Sequence, residues 1–252
     1  MRLVSLNTWK AEGDHPRRLR AMAVGLQAMA PHVVALQEDL RTADGQIHTA
    51  QTLAHALGLP LHALPARAKR RRVGKVWVDS TAGLAVLSRR PVREQRALVL
   101  PQDPRDGERL AQCLRLEGEQ EDWWLVNLHL SHLPDRADLR RAQLGVVLEA
   151  LDRWAGAAPV VLCGDFNAAP QDLEIAGCVH PRGPLVDVFG GRTKCTHRTP
   201  EGAARDLDHI FLRMPAAAPA VAVHAATVVL DRADAHGVLP SDHFGVCADL
   251  SL

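Results

Sequence analysis

A short apolar run that ends in two polar residues is the feature that most constrains how this sequence folds. Val160–Cys163 is apolar throughout, Gly164 interrupts the run, and Asp165 and Asn167 follow at alternate positions before Pro170. Such a run between Gly and Pro is typical of a strand buried on both faces. On extended backbone Asp165 and Asn167 point to the same side, where they suit a divalent cation or a phosphate ester. An ordinary Asx turn predicts the same local pattern.

Length, charge and cysteine content limit the class of protein. A chain of 252 residues can bury a sizeable core, as one large domain or as two joined lobes. The net charge of +1 gives no global basic field, so any contact with nucleic acid has to be local. The five cysteines are scattered without a CxxC pair, which predicts reduced thiols and a cytoplasmic setting. We identify no signal peptide and no apolar stretch approaching the ~20 residues that span a membrane.

Polar residues recur at the ends of other predicted strands. In α/β proteins the end of a buried strand is a recurrent position for site residues, although a single acid or histidine there is more often structural. The predicted strands with their polar residues are Leu3–Leu6 with Asn7, Val33–Leu36 with Glu38, Gly83–Ser88 with Arg89, Trp123–Leu130 with His129, a strand from Asp208 to Leu212, and a last strand to Leu250 that follows Asp242 and His243.

Apolar spacings of three and four predict the helices. The first helix is expected from Pro16 to Pro31, the second near Ile47–Leu57, and the third from Asp135 to Trp154, with the arginines of its first turns in solvent. Further strands are expected at Val92–Leu100, Leu110–Leu116, the short piece Leu185–Phe189, and Ala220–Leu230.

Two polar stretches have no place in these elements. Arg67–Lys75 is the most basic run of the chain, and it is interpreted either as a mobile solvated loop or as a phosphate-binding loop. Lys194–His197 contains one Cys and one His, which are too few ligands for a metal site.

Seven motifs in order resemble the endonuclease/exonuclease/phosphatase superfamily, which includes deoxyribonuclease I, repair nucleases, inositol polyphosphate 5-phosphatases and neutral sphingomyelinases. They extend from Asn7 to Val246 and are LNTW, ALQE, LSR, NLHL, GDFN, LDHIF and SDHFGV. The resemblance implies an α/β fold over the whole chain, residues 1–252, as a single domain. That fold is a four-layer αββα sandwich of two mixed β-sheets flanked by helices, with the site at one edge.

The resemblance also implies a metal-dependent hydrolysis by in-line attack of water. Asn7, Glu38 and Asp242 would hold Mg²⁺ or Mn²⁺ through hard oxygen ligands. Asp165 would orient and deprotonate the attacking water, and Asn167 would help to place it and the phosphate.

The remaining residues of the resemblance surround the phosphate. His243, aligned by Asp208, would hydrogen-bond to the phosphate, and Arg89 would contact it. His129 matches the position of a histidine that protonates the leaving oxygen in the deoxyribonuclease-like and sphingomyelinase-like branches.

Departures from the family pattern leave the substrate open. Trp9 stands where repair nucleases place an acidic residue, and the chain contains no Tyr, which disfavours an abasic-site nuclease. The leading hypothesis is a phosphodiesterase or nuclease whose substrate is a phosphate ester, with DNA and RNA among the candidates. The alternatives are a sphingomyelinase-like or phosphomonoester hydrolase and a non-catalytic scaffold on the same fold. The oligomeric state is not predicted.

Overall fold

A computed structural model describes residues 1–199, 201–213 and 221–252. Four helices are found in these ranges: α1 (His15–Met29), α2 (Thr49–Leu57), α3 (Ala137–Trp154) and the single turn α4 (Leu173–Ala176). The strands of the same ranges are β1 (Arg2–Asn7), β2 (Val33–Thr42), β3 (Leu61–Leu64), β4 (Lys69–Val73), β5 (Val76–Ser88), β6 (Val92–Val99), β7 (Leu110–Leu116), β8 (Trp123–His129), β9 (Val160–Asp165), β10 (Leu185–Asp187), β11 (His197–Arg198), β12 (Ala204–Arg205), β13 (Asp208–Arg213), β14 (Ala222–Val229) and β15 (Gly245–Ser251).

The strands form two mixed sheets and a small ribbon of β11 and β12. The first sheet has the order β14-β15-β1-β2-β5-β3, with β4 paired to β5, and the second has the order β10-β13-β9-β8-β7-β6. The pairs β1–β2 and β8–β9 are parallel, and the other pairings of the two sheets are antiparallel. Each sheet therefore has two parallel strands near its centre, where burial on both faces explains their continuous apolar sequences.

Three apolar clusters define four layers. Met22 of α1 and Leu53 of α2 pack on the outer face of the first sheet. Val33 and Val86 of the first sheet meet Leu125 and Ile210 of the second between the sheets. On the outer face of the second sheet, α3 contributes Leu144, Val147 and Leu151 to a cluster with Val126 and Leu162. The predicted αββα sandwich of two mixed sheets is confirmed.

A polar bridge crosses the apolar layer between the sheets. Gln37 donates through Nε2 to Oδ1 of Asn127 over 2.7 Å, and Asn127 donates through Nδ2 to the carbonyls of Leu36 and Ala85 at 3.0 and 3.1 Å. The side chains of Gln37 and Asn127 that make these bonds are fully buried. Buried hydrogen bonds of this kind between strands of different sheets help to fix the position of one sheet relative to the other.

The structure differs from the sequence prediction in several elements. The basic run is not a loop: Lys69–Val73 forms β4, which pairs with β5 through a turn at Gly74. Both β2 and β5 are longer than predicted, and Ala220, the predicted start of a late strand, lies outside the described residues. Not every arginine at the start of α3 is in solvent, because Arg140 is buried and paired with Glu174 at 2.7 Å.

Candidate active site

The ends of the four central parallel strands meet at one edge of the sandwich. Asn7 at the end of β1 is paired with Gln37 of β2, and His129 at the end of β8 lies beside Asp165 of β9, which in turn faces Asp208 of β13. A cavity of about 840 Å³ opens at this edge. The predicted site residues that line it are Asn7, Glu38, His129, Asp165, Asn167, Asp242 and His243.

Asp165 is at the centre of the site and is 1% exposed. Its Oδ2 accepts a hydrogen bond from Nδ2 of Asn7 at 3.0 Å, so the two sheets are joined directly at the site. The same oxygen lies 3.4 Å from Nε2 of His129 and 3.7 Å from Nε2 of His243. Burial raises the pKa of Asp165, and although the charge of His243 opposes this, the resulting pKa is about 6.

The turn after Asp165 explains how the sequence positions it. Gly164 has φ of +141°, and a Cβ at this position would lie 1.9 Å from the carbonyl oxygen of Leu128, so only glycine fits between β9 and β8. Asn167 has φ of +51°, so the extended backbone predicted for the pair ends at Asp165. Asn167 nevertheless faces the cavity, because its backbone N–H donates to Oδ1 of Asp165 at 2.9 Å and its Nδ2 donates to the carbonyl of Leu130.

Asp208 and His243 form a buried charged pair. Nδ1 of His243 lies 2.8 Å from Oδ2 of Asp208, which is fully buried. The backbone N–H of Asp208 donates to the hydroxyl of Thr196 at 3.0 Å. Burial lowers the pKa of His243, but the carboxylates of Asp208 and Asp165 outweigh it and raise that pKa to about 10. The imidazolium of His243 therefore faces Asp165 as a fixed positive charge.

His129 has the opposite electrostatic environment. Its ring is 8% exposed, and burial together with the charges of Arg109 and Lys10 holds the pKa of His129 well below its usual range. The site thus combines a neutral and a charged imidazole on the two sides of one carboxylate.

Glu38 faces the cavity because β2 is irregular at this point. The register of β2 against β5 shifts between Gln37 and Asp39, and Glu38 itself has φ of +57°. A β-bulge of this kind turns a side chain out of the regular alternation and is frequent next to active sites. The carboxylate of Glu38 forms an ion pair with Lys10, whose Nζ lies 2.8 Å from Oε1.

Asp242 lies close enough to Glu38 for the two carboxylates to repel each other. Burial raises the pKa of Asp242, and the negative charge of Glu38 raises it further. The hydroxyl of Ser241 donates to the carbonyl of Asn7 at 2.7 Å, which holds the loop before β15 against the end of β1. Two carboxylates and the amide of Asn7 therefore line one cavity, and this donor set suits Mg²⁺ or Mn²⁺.

Arg18 fixes the loop that joins β1 to α1. This side chain is 2% exposed, and no carboxylate in the described residues pairs with it. Its guanidinium donates instead to backbone carbonyls, and its carbon Cζ lies 4.7 Å from the centre of the Trp9 ring. The carbonyls belong to Thr8, Trp9, Lys10, Glu12 and Pro240.

Arg89 does not line the cavity, and the prediction that it contacts the phosphate is wrong because the residue lies at another edge of the sheet. Ser88, the residue before it, pairs with Val33 at the start of β2, whereas Leu84 pairs with Gln37 near the site. Arg89 is five positions further along the chain than Leu84, which corresponds to about 16 Å of extended backbone. Arg89 is exposed at the opposite edge of the sheet, because β5 runs antiparallel to β2.

Other residues of the site were not found from the sequence. Lys10 and Arg109 line the cavity, and Arg109 is paired with Asp106 at 2.6 Å while its Nη2 lies 2.9 Å from Nδ1 of His132. Both residues are in loops, where neither periodicity nor a strand end indicates them.

His197 also reaches the site, although the sequence analysis rejected a metal site in its segment, Lys194–His197. Its backbone forms a bridge with His243, and the two ring centres lie 4.7 Å apart. Ligand atoms of His197, Asp242 and His243 lie within 4.8 Å of one another, as do those of Asp165, Asp208 and His243. The sequence prediction counted only local ligands and missed those that the fold adds.

Comparison with known proteins agrees with this fold. The model of the Endonuclease/Exonuclease/phosphatase family matches residues 4–243. These strand-end residues and the two-sheet sandwich that carries them define a phosphate-ester hydrolase fold, and the chain belongs to the Endonuclease/Exonuclease/phosphatase family. A search of curated proteins finds no match.

Solved structures with the same fold include an endonuclease/exonuclease/phosphatase of Beutenbergia cavernae, which is 24% identical with a TM-score of 0.77 and aligns over 100% of this chain and 71% of its own. TDP2 of D. rerio in complex with a single-strand DNA product is 20% identical with a TM-score of 0.76 over 100% and 99% of the two chains. A mannosyl-6-phosphatase of Bacteroides thetaiotaomicron is 16% identical with a TM-score of 0.73 over 100% of both. Within the described part of the chain, no helix is long and apolar enough to cross a membrane.

Proposed function

We propose that the protein is a Mg²⁺- or Mn²⁺-dependent phosphodiesterase, with a nucleic-acid strand as the leading substrate class. The observation that carries the proposal is the environment of Asp165, a buried carboxylate at an open cavity that lies near two imidazoles and accepts hydrogen bonds from the carboxamide of Asn7 and the backbone N–H of Asn167. A carboxylate with its pKa raised to about 6 is suited to accept a proton from water near neutral pH.

The chain's own donors fit a divalent cation. Glu38 and Asp242 are close enough for one charge to raise the pKa of the other, and the ammonium of Lys10 already neutralises Glu38. Asn7 offers its Oδ1, which also accepts from the backbone of Trp9 at 3.0 Å. When bound, the metal ion polarises a phosphoryl oxygen and offsets the charge that develops on it.

Each remaining side chain has a role that its contacts support. Asp165 orients the attacking water and takes its proton, and Asn167 positions the water and the phosphate from the rim. His243, held by Asp208 and positively charged, donates a hydrogen bond to a phosphoryl oxygen. His129 is neutral, so it must gain a proton before it can protonate the leaving oxygen, and Asp165, whose Oδ2 lies 3.4 Å from Nε2 of His129, can pass on the proton that it takes from the water.

The comparisons support this class of reaction without fixing the substrate. The name of one structural neighbour records a single-strand DNA product and that of another a sugar phosphate. The five cysteines are free thiols, which is in keeping with the proposed cytoplasmic location.

The test is hydrolysis by the purified protein of single- and double-stranded DNA, RNA, bis-p-nitrophenyl phosphate, p-nitrophenyl phosphate and sphingomyelin, with Mg²⁺ or Mn²⁺. Asp165→Asn keeps the volume of the side chain and removes the base, so cleavage is expected to fall by about 10³-fold or more. Asp152→Asn is the matched control, because its carboxylate is on the surface of α3 with 65% exposure. EDTA is expected to abolish cleavage and Mg²⁺ or Mn²⁺ to restore it.

The panel also decides between the alternatives. Cleavage confined to p-nitrophenyl phosphate would replace the diesterase by a phosphomonoesterase, and cleavage confined to sphingomyelin would replace it by a lipid headgroup hydrolase. Equal rates in the wild type and Asp165→Asn would show that the activity does not belong to this site and would overturn the proposal.

A further inference from the structure

One wall of the cavity is basic, and the hydrolytic chemistry described above does not use it. Four cationic side chains line this wall, and all come from the segment that leads into and forms the hairpin of β4 and β5. We call them the basic hairpin wall: Arg67, Lys69, Arg71 and Arg72.

The side chains of this wall form no ion pair with a carboxylate, in contrast to the other cations of the cavity, and the carboxylate of Glu108 contacts Arg67 only at its backbone N–H. Lys10 is paired with Glu38 and Arg109 with Asp106. In the described residues no ion pair within 4.0 Å involves any member of the basic hairpin wall. Arg71 donates to the carbonyl of Ser80 at 2.7 Å, a contact that orients its guanidinium but leaves its charge uncompensated.

Lys69 has the most one-sided surroundings. It pairs across the hairpin with Ser80 and lies on the same face as Arg71. Its Nζ lies beside Gly107, in the loop before β7. The pKa of Lys69 is lowered by burial and by the charges of Arg71, Lys10, Arg67 and Arg109, all of which are cations. Lys69 is exposed at the cavity, and its ammonium faces a field of positive charge that an anion would neutralise.

The position of the wall relative to the reaction centre sets the type of anion. Arg71 is close enough to Glu38 for the carboxylate to raise the pKa of the guanidinium, against a larger effect of burial. The wall and the proposed metal ligands therefore border the same space, but no hydrogen bond or ion pair in the described residues joins the wall to Asp165. A single phosphate at Asp165 leaves these cations without a ligand.

The geometry points to a second anion subsite on the basic hairpin wall, which holds a phosphate of the substrate other than the one that is hydrolysed. This inference rests on the proposed function, because it takes the scissile phosphate to be the one at Asp165. The second phosphate has two sources with the same chemistry, namely the next phosphate of a nucleic-acid strand or a second phosphate on a small molecule. Arg and Lys side chains bind either one through charge-assisted hydrogen bonds.

The hairpin itself provides a matched pair of variants. Lys69 and Arg70 are neighbours in β4, both are exposed, and each carries one positive charge. Lys69 lines the cavity and Arg70 does not, although the two are consecutive in the strand. Lys69→Gln removes a charge from the subsite, whereas Arg70→Gln removes one from the same strand outside it.

The experiment compares thymidine dinucleotides that share one diester and differ by a terminal phosphate: TpT, pTpT and TpTp. In the wild type one of the two terminal phosphates is expected to raise kcat/KM over TpT by about tenfold. That gain should be lost in Lys69→Gln and kept in Arg70→Gln. Fructose 6-phosphate and fructose 1,6-bisphosphate form a parallel pair that tests the small-molecule source. If that source is the right one, kcat/KM rises on the bisphosphate and does not rise with a terminal phosphate on the dinucleotides.

The subsite would be overturned if the wild type gave the same kcat/KM for TpT, pTpT and TpTp and also the same kcat/KM for the two fructose phosphates. An equal loss of the gain in Lys69→Gln and Arg70→Gln would also overturn it. If the wild type hydrolyses none of the substrates, the proposed function fails on its own. The subsite is then decided by calorimetry with inorganic pyrophosphate. Binding that is weakened about tenfold in Lys69→Gln and unchanged in Arg70→Gln supports it, and equal binding in the three proteins overturns it.

Discussion

Nδ1 of His243 lies 2.8 Å from Oδ2 of Asp208, and the carboxylate that holds it there is completely buried. Asp208 is on β13 and His243 is in the loop before β15, so the contact joins the second sheet to the first. The opposite ring nitrogen is thereby directed at Asp165, 3.7 Å away. This relationship makes Asp208 a positioning residue whose substitution should affect the reaction more than substrate binding.

We expect Asp208→Asn to lower kcat by about 10²- to 10⁴-fold with a much smaller change in KM. The carboxamide keeps the volume of the side chain but neither stabilises the positive charge on His243 nor fixes its proton on Nδ1. Steady-state kinetics measure the two parameters, and the melting temperature controls for loss of fold. A kcat within twofold of the wild type would show that the His243 charge is not used in the reaction.

Arg109 and Arg89 form a second comparison, because one lines the cavity and the other lies at the far edge of the sheet. Arg89→Gln is expected to leave kcat/KM within about twofold, as for a surface substitution away from a site. Arg109→Lys retains the charge beside Asp106 but loses the fork of donors, and a fall in kcat/KM of about tenfold or more is expected. The comparison is made under identical metal and salt conditions, and a larger loss in Arg89→Gln than in Arg109→Lys would contradict the placement of Arg89.

Arg18 supports the loop that carries Trp9 and Lys10, both of which have positive φ, +54° and +44°. Replacement by Met preserves apolar bulk but leaves several buried carbonyls without a donor, at about 1–3 kcal/mol for each that water does not reach. We expect Arg18→Met to lower the free energy of unfolding by about 2–4 kcal/mol in urea. Arg18→Lys restores only part of this, because an ammonium has three donors and the carbonyls number five. Full stability in Arg18→Met would show that water replaces the guanidinium.

The bridge between Gln37 and Asn127 gives a prediction for the contact between the sheets. Asn127→Leu removes the partner of Gln37 and both donors to Leu36 and Ala85, and a loss of about 2–5 kcal/mol is expected. Urea unfolding should show a lower midpoint with an unchanged slope. Gln37→Leu combined with Asn127→Leu should lose less than the sum of the single changes, because the double variant leaves neither amide unpaired. Additive losses would mean that the two amides do not act together.

The outcome for individual residues shows what the sequence was able to predict. Asn7, Glu38 and Asp165 were predicted because a polar residue after a buried apolar run is visible in the sequence, and His243 was predicted from the motif SDHFGV. Arg89 follows the same pattern, but its strand β5 runs in the opposite direction, and strand direction is not contained in the local sequence.

Other features depend on contacts between distant segments. Lys10 reaches Glu38 through two residues of left-handed backbone, and His197 reaches His243 through a bridge between segments more than forty residues apart. The basic run forms a strand despite its charge because β5 supplies hydrogen-bonding partners along its whole length. These outcomes are set by tertiary pairing, which overrides local propensity and cannot be derived from spacing alone.

His15 at the start of α1 gives a prediction for the pH dependence of stability. Its ring is 7% exposed, and Nε2 lies 3.1 Å from the hydroxyl of Thr49. Burial, aided by the charge of Arg18, lowers the pKa of His15 from its ordinary 6.5 to about 4. As the pH falls below 6.5, the unfolded chain binds a proton at this histidine while the folded protein does not. The stability that His15 contributes is therefore fully present above pH 6.5 and is lost as the pH falls towards 4.

His15→Gln isolates this effect, because the carboxamide can replace the hydrogen bond of Nε2 but does not titrate. We expect the free energy of unfolding of the variant, relative to the wild type, to rise by up to about 3 kcal/mol between pH 7 and pH 4. Urea unfolding of the two proteins at half-unit steps of pH measures the difference, from which the other buried histidines cancel. A constant difference across this range would show that His15 titrates equally in both states, and that the N-terminus of α1 opens to water before the rest of the fold is lost.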